Sequence, residues 1–180
     1  ASDPEDRHTV DLIIRRVPQG TCTVYCFEHL KVGDEVRLSG PFGDFRLSGT
    51  DTPMIFLAGG SGMAPFVSIL HHMVHTGCPR PTTFFFGAKR VRDLYLLDAM
   101  RAFERQLPAF RFVPVVAQVS EGEAWTGQTG LVTDAVGRAF TGLAGFEAYL
   151  CGPPGMIEAS IQVLKGLGIP QDRIYYDKFA

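Results

Sequence analysis

The sequence predicts an α/β fold: a five-stranded, parallel, doubly wound sheet over residues 51–180, preceded by the C-terminal part of an antiparallel β-barrel over residues 1–50. Three observations carry this. From Met54 onward, short apolar runs alternate with stretches of helical period, as right-handed βαβ crossovers require. Two glycine-rich corners, FLAGGSGMAP (56–65) and AYLCGPPGM (148–156), each lead from such a run into a helix start. Residues 1–50 instead alternate with period two between turn-rich breaks.

In chain order, HTVDLIIRRV (8–17) reads as an antiparallel strand ended by PQGT. TCTVYCFEHL (21–30) reads as a short helical segment, KVGD as a turn and EVRLSG (35–40) as another strand, before the turn-rich GPFGDF. Two or three strands leave open edges and bury little, and a closed barrel needs more. This block therefore reads as the end of a β-domain whose beginning is absent, and a first residue Ala rather than Met agrees. The chain is accordingly expected to associate through its open edges.

The parallel strands are MIFLA (54–58), TTFFFG (82–87), FRFVPVVA (110–117), EAYLC (147–151) and RIYYD (173–177). A first helix runs from Ala64 to His75 and is capped by Gly77. A second begins after Asp93 as N-cap, a third spans Thr133–Phe140, and a fourth spans Met156–Leu167 before Pro170.

Composition narrows the class. An apolar fraction of 46% and a charged fraction of 20% over 180 residues are those of a globular chain with its own core. A formal charge of −2 without a long basic run argues against nucleic acid or an anionic membrane as partner. No apolar stretch approaches the length of a membrane span and no signal peptide opens the chain, so a cytoplasmic protein is expected. Cys22, Cys26, Cys78 and Cys151 form neither a C-x-x-C pair nor a ferredoxin-type cluster run, and read as thiols of a reducing compartment.

The corners carry the chemistry. Gly59, Gly60 and Gly62 suit a close turn whose backbone N–H groups surround a phosphate, with the following helix adding positive partial charge. Pro65 stands where the G-x-G-x-x-G fingerprint has its third glycine, and a proline is harmless in a first helical turn. A bare strand-to-helix corner is the alternative. At the second corner Cys151 ends a strand before the rigid Gly152-Pro153-Pro154-Gly155, its thiol either facing a bound ring or buried as a small residue. Gly20-Thr21-Cys22-Thr23 opens the short N-terminal helix and also suits a phosphate, although a Thr cap needs no ligand.

With these motifs in this order, the chain resembles the ferredoxin–NADP reductase superfamily, in which a flavin-binding barrel precedes a nicotinamide-nucleotide domain. The family's GGTGxxP is matched by Gly59-Gly60-Ser61-Gly62-Met63-Ala64-Pro65, and its CGPPxM by Cys151-Gly152-Pro153-Pro154-Gly155-Met156. Its Gly-x-x-Ser is matched by Gly20–Thr23, behind Ile13-Ile14-Arg15-Arg16. WTGQTGLVTDAV (125–136) and IYYDKFA (174–180) bring it closest to the reductase components of bacterial multicomponent oxygenases, of the phenol hydroxylase and methane or toluene monooxygenase type.

The resemblance implies an NAD(P)H-dependent oxidoreductase, a flavoprotein of electron transport in aromatic hydrocarbon catabolism. It implies FAD over residues 1–50 and NAD(P) over 51–180, a [2Fe-2S] module outside this chain, and an oxygenase (hydroxylase) component or its ferredoxin as partner. It implies that Arg15, Gly20, Thr21, Cys22 and Thr23 hold FAD. Gly59, Gly60, Ser61, Gly62, Met63, Pro65, Gly87, Ala88, Lys89, Arg90, Gly152, Pro153 and Met156 would hold the nicotinamide nucleotide. Ser61 and Cys151 are implied at the reacting ring, and Phe179 over the isoalloxazine until nicotinamide displaces it.

Two family motifs are absent, Arg-x-Tyr-Ser of the flavin site and the cluster run C-x4-C-x2-C, which fits a truncated chain, inactive alone and poor at retaining FAD. Ser61 for Thr and Thr23 for Ser keep a hydroxyl. Lys89 and Arg90 suit a 2′-phosphate or a solvated loop, while the resemblance favours NADH. His71, His72 and His75 share one helix without an acidic or cysteine neighbour in sequence, so no metal site is expected. Trp125 and the run Phe84–Phe86 read as packing residues. The rival readings are a single-component flavin or cytochrome reductase and a non-catalytic nucleotide-binding subunit.

Overall fold

A computed structural model describes residues 1–40 and 42–178. Its centre is a parallel sheet of six strands: β1 (Met54–Gly59), β2 (Thr82–Ala88), β3 (Phe110–Val116), β4 (Gln128–Thr129), β5 (Glu147–Gly152) and β6 (Ile174–Lys178). The order is β4-β3-β2-β1-β5-β6, and every neighbouring pair is parallel. The order reverses between β1 and β5, so the carboxyl ends of those two strands form the switch point where such sheets bind ligands.

Among the described residues five α-helices complete the fold: α1 (Thr21–Val24), α2 (Ala64–Thr76), α3 (Leu97–Gln106), α4 (Val132–Ala139) and α5 (Pro154–Gly166). Strand side chains alternate between the two sheet faces and fill two cores. Phe56, Phe84 and Tyr149 point to the face covered by Phe66, Leu70 and Met73 of α2 and by Met100 and Phe103 of α3. Ile55, Leu57, Phe85 and Leu150 point to the other face, against Val136 of α4 and Ile157 and Leu164 of α5. Every residue of β1 and β5 is buried, which explains why β1 and, beyond Glu147, β5 read as apolar runs.

Helix α2 ends as expected on Gly77, which takes the left-handed conformation at φ 61°. Other boundaries differ. There is a sixth strand, β4, only two residues long and fixed by pairing with Val115 and Val116; no periodic pattern marks an element so short. Asp93 caps a 3-10 turn over Val91–Asp93, its carboxylate accepting the Arg90 N–H at 3.0 Å, and α3 starts only at Leu97, after Leu96 at φ 55°. Helix α5 begins two residues before the expected Met156, because Pro154 fits a first turn.

Residues 1–50 correct the expectation most. Among the described residues of this segment there is no strand. HTVDLIIRRV and EVRLSG find no ladder partner, and Val10, Leu12, Val36 and Leu38 stay exposed. A strand exists only through pairing, so an alternating pattern alone does not make one. The helical segment is present as α1 running into a π turn over Tyr25–His29.

The segment is nonetheless fastened to the sheet. Glu147 and Arg80, 2% and 5% exposed at the side chain, pair at 2.7 Å beneath the start of β5. Ser48 and Thr50 donate to the same carboxylate at 2.6 and 2.9 Å, as does the Tyr149 hydroxyl at 3.0 Å. Arg80 also donates to the carbonyls of Thr52 (2.8 Å) and Ser48 (3.3 Å). Phe45 packs edge-on against Phe66 and Tyr149. Asp3 brings its carboxylate within 3.4 Å of the Nδ1 atoms of both His71 and His75, an acidic neighbour that sequence spacing did not reveal. Among the described residues no group of three His, Cys, Asp or Glu is arranged to hold a metal ion, and no helix is long and apolar enough to cross a membrane.

Candidate functional site

The two glycine corners meet at the switch point. From β1 the chain passes through Gly59 into a 3-10 turn over Gly60–Met63 and then into α2, with Pro65 in the first turn, where its missing N–H costs nothing. Gly60 is left-handed at φ 57°. Gly62 is required for a different reason: a Cβ there would lie 2.1 Å from the Cys151 carbonyl oxygen and 2.5 Å from its carbon. Gly152 reciprocates at φ 149°, a Cβ falling 3.0 Å from the Gly59 oxygen and 3.1 Å from its nitrogen. The corners thus touch backbone to backbone, and each fixes the position of the other.

Above them opens a cleft of about 720 Å³. Gly59, Gly60 and Ser61 form one wall, and Phe86, Gly87, Ala88, Lys89 and Arg90 at the end of β2 form a second. Pro153 and Met156 close it from the β5 corner, and Ile13, Ile14 and Arg15 reach in from the N-terminal segment. The Arg15 guanidinium approaches Gly60, its Nη1 being 4.0 Å from where a Cβ of that glycine would sit. Arg92, Asp93 and Tyr95 complete the lining. Arg15, Lys89, Arg90 and Arg92 face a single acid, Asp93, whose carboxylate already accepts a backbone N–H. Such a wall attracts anions.

A smaller cleft of about 380 Å³ adjoins it, sharing Gly87, Ala88, Lys89 and Met156, with Gly130–Thr133 and Ala159 opposite. The joint cavity runs along the carboxyl edge of the sheet from β1 toward β3.

Tyr95 was not anticipated from sequence. Its hydroxyl donates to the Gly60 carbonyl at 2.7 Å while its ring packs edge-on against Phe86. Burial pushes the phenol up to about 12, so it holds its proton at neutral pH and remains a donor. A tyrosine soon after the second strand is a weak signal, because only the turn beyond Asp93 directs it back to the first corner.

The other expected residues divide into groups. Met63 is fully buried under the first corner. Cys151 is fully buried at the tip of β5 and does not line the cleft. Burial, with Asp177 adding to it, pushes its thiol up to about 12, so the sulfur is uncharged. Thr21, Cys22 and Thr23 lie on α1 behind Gly20 as its N-cap, and none of the four lines the cleft. The Thr23 hydroxyl is engaged within its own turn, accepting the Val17 N–H at 3.2 Å and lying 3.0 Å from the Val17 carbonyl. Phe179 lies outside the described residues.

Residues 56–162 match the family described as oxidoreductase NAD-binding domain, and residues 1–47 the family described as oxidoreductase FAD-binding domain. The chain is 37% identical to the reductase component of propane 2-monooxygenase from Mycolicibacterium goodii, across 99% of this chain and 53% of that protein. It is also 37% identical to the ferredoxin–NAD(P)(+) reductase component of the naphthalene 1,2-dioxygenase system from Pseudomonas putida, across 98% of this chain and 53% of that one. Among solved structures, the Amycolatopsis cytochrome P450 reductase GcoB superposes with a TM-score of 0.84 at 33% identity, over 92% of this chain and 50% of its own. The chain therefore spans about half the length of the curated relatives it matches. The corner that broke the dinucleotide fingerprint is intact by another standard: this chain belongs to the oxidoreductase NAD-binding domain family, with a match to the FAD-binding family ahead of it.

Proposed function

We propose that the chain aligns NAD(P)H with FAD for hydride transfer, and that the electrons continue to an oxygenase component or its ferredoxin. The observation that carries this reading is the shared cleft. Ile13, Ile14 and Arg15, from the segment matching the FAD-binding family, face Gly59–Ser61, from the NAD-binding match, across one cavity. On this reading the chain divides near residue 50 into an FAD-binding and a NAD(P)-binding part.

The residues fit these groups. A cavity of about 720 Å³ is of the size that encloses a ligand of this class. The left-handed Gly60 and the start of α2 direct backbone N–H groups outward, suited to the nicotinamide-side phosphate, with the Ser61 hydroxyl beside them. Lys89, Arg90 and Arg92 would neutralise the adenosine-side phosphates and Arg15 the flavin pyrophosphate, to which Gly20–Thr23 are assigned by resemblance. When bound, the two rings supply the redox chemistry, nicotinamide giving the hydride and flavin receiving it.

The protein's own work is alignment. The interlocked glycines hold the two corners at a fixed separation, and Tyr95 braces the Gly60 carbonyl from behind. Cys151 contributes an uncharged, close-packed strand tip beside the ring, and Phe179 is assigned to the flavin face by resemblance. NADH is the favoured donor, and a soluble, cytoplasmic partner rather than membrane or nucleic acid is the favoured acceptor. The test is NADH oxidation by the purified chain with added FAD and ferricyanide, in parallel with NADPH. FAD-dependent turnover that is lost in Arg15→Ala supports the reading. Turnover independent of FAD, or no nucleotide binding to a folded chain, overturns it.

A further inference from the structure

Between the FAD-binding match, which ends at residue 47, and the NAD-binding match, which starts at 56, the chain reads Ser48-Gly49-Thr50-Asp51-Thr52. Hydroxyl residues occupy every second position, and an extended backbone sets alternate side chains on one side. All three hydroxyls lie against the buried Glu147–Arg80 pair. Ser48 and Thr50 donate to the carboxylate at 2.6 and 2.9 Å, and Arg80 Nη2 reaches the Thr50 and Thr52 hydroxyls at 3.2 and 3.4 Å. They also stand in file, Ser48 3.1 Å from Thr50 and Thr50 3.0 Å from Thr52. The Ser48 N–H donates to the Tyr149 hydroxyl at 2.9 Å. Gly49 and Asp51 take the other side: a Cβ on Gly49 would meet nothing within 4 Å, and Asp51 is exposed.

We propose that this file of hydroxyls locks the linker in one register on the Glu147–Arg80 pair. The lock sets where the flavin-matching segment stands over the nicotinamide corner, so Ser48, Thr50 and Thr52 are positioning residues for hydride transfer. The proposal rests on the reading above, in which the chain aligns NAD(P)H with FAD. A buried ion pair is tolerated only when its remaining lone pairs and N–H groups are satisfied, and here the linker supplies those partners. A slip of one residue would bring Gly49, which has no side-chain donor, and Asp51, a second negative charge, against Glu147. Both exchanges leave a buried charge short of partners, so one register is selected.

The scale of the slip is what matters for the cleft. One residue of extended chain spans about 3.3 Å, as much as the whole separation of about 3–3.5 Å at which reacting atoms must be held. The register is carried toward the cleft by packing. Phe45, three residues before Ser48, sets its ring edge-on against Tyr149 and against Phe66, in the first turn of α2, the helix that leaves the first glycine corner. Leu47 packs against the same core. The segment's charged tie to α2, Asp3 to His71 and His75, is partly exposed at both partners and so holds more weakly.

The test uses the whole chain with FAD and measures the anaerobic rate of flavin reduction at saturating NADH, well below the Tm of each variant, beside NADH titration. Ser48→Ala combined with Thr50→Val should keep the parent's NADH affinity, since the glycine corners are untouched, and reduce flavin about tenfold or more slowly. Thr50→Ser, which keeps every hydroxyl, should match the parent, as should Gly49→Ala on the open side of the linker. A double variant that reduces flavin at the parent's rate overturns the proposal, and so does one that loses NADH affinity in step with rate, or a Thr50→Ser protein as slow as Thr50→Val. If the parent reduces no flavin, the alignment reading fails by itself. The lock is then decided by amide hydrogen exchange over residues 45–52: faster exchange in the double variant, with β1 and β5 unchanged, supports it, and equal exchange overturns it.

Discussion

Replacing Gly62 by alanine tests the idea that the two corners set each other's position. The added methyl would sit 2.1 Å from the Cys151 carbonyl oxygen, 2.5 Å from its carbon and 2.9 Å from the Gly152 nitrogen, where ordinary contact begins at 3.4 Å. All three obstacles are backbone atoms, so no rotamer change relieves them. The corners must separate by more than an ångström or the turn must unwind. Overpacking of a rigid site costs about 1–3 kcal/mol, and a purely backbone clash belongs at the upper end. At about 2–4 °C per kcal/mol for a chain of this size, that lowers Tm by roughly 6–12 °C. The functional effect should be larger, because misplacing reacting groups by about 1 Å costs on the order of a hundredfold in rate. The assays are differential scanning fluorimetry, nucleotide titration, and NADH oxidation with ferricyanide in the presence of FAD. Gly137→Ala, in α4 with no atom within 4 Å of its added methyl, is the control and should stabilise slightly. A Gly62→Ala protein with the Tm and NADH affinity of the parent would refute the interlock.

Four further outcomes follow. Tyr95→Phe removes the donor to Gly60 at a cost of about 1 kcal/mol, so Tm should fall by about 2–4 °C while KM for NADH rises several-fold with kcat little changed, as scanning fluorimetry and steady-state kinetics will show. Glu147→Gln leaves the Arg80 charge without its buried partner and should cost about 3–5 kcal/mol in urea unfolding. Burial alone would raise the Glu147 carboxyl, but hydrogen bonds from Ser48, Arg80, Thr50 and Tyr149 outweigh it and hold it below its ordinary value. That stability is therefore present above the unfolded carboxyl pKa of about 4.3 and is lost as pH falls through the lower folded value, so the stability gap between parent and Glu147→Gln should narrow in acid. Lys89→Ala with Arg90→Ala should weaken NADPH binding more than NADH binding, measured by titration at two salt concentrations. Cys151→Ala should lower NADH–ferricyanide turnover well beyond its effect on Tm; turnover that falls only in step with stability would reduce this thiol to core packing.

The sheet was legible because its signal is local. β1, β2 and β5 are buried on both faces along most of their length, so each carries a continuous apolar run with a glycine at or beside its end. Gly77 and Pro65 mark helix ends by conformational preference alone, and both occupy the expected places. β4 carries no such mark, because a two-residue strand is defined by its partner Val115–Val116 rather than by its own side chains. HTVDLIIRRV shows the reverse case. Its alternation is a strand pattern, yet the described residues offer it no strand to pair with, and the backbone has no ladder to join. A pattern of period two states which face a strand would bury, not whether a second strand is there to pair with it.

The same distinction explains what sequence gave of the cleft. Glycines at the first corner read as a phosphate cradle and those at the second as a rigid turn, but the strictest requirement is mutual: Gly62 and Gly152 are small because another backbone passes within contact distance. Sequence spacing of some ninety residues cannot express that contact, nor the return of Tyr95 to the Gly60 carbonyl, nor Asp3 reaching His71 and His75. Each is a product of topology, since β1 and β5 are neighbours in the sheet and Asp3 of the N-terminal segment lies beside α2. It follows that alanine at Gly62 or Gly152 should damage stability and nucleotide binding together, whereas alanine at Lys89 or Arg90 should damage binding alone. Urea midpoints measured beside NADH titrations separate the two classes. A Gly152→Ala protein of unchanged midpoint but lost NADH affinity would mean that the second glycine serves the ligand directly, and that the interlock is incidental to it.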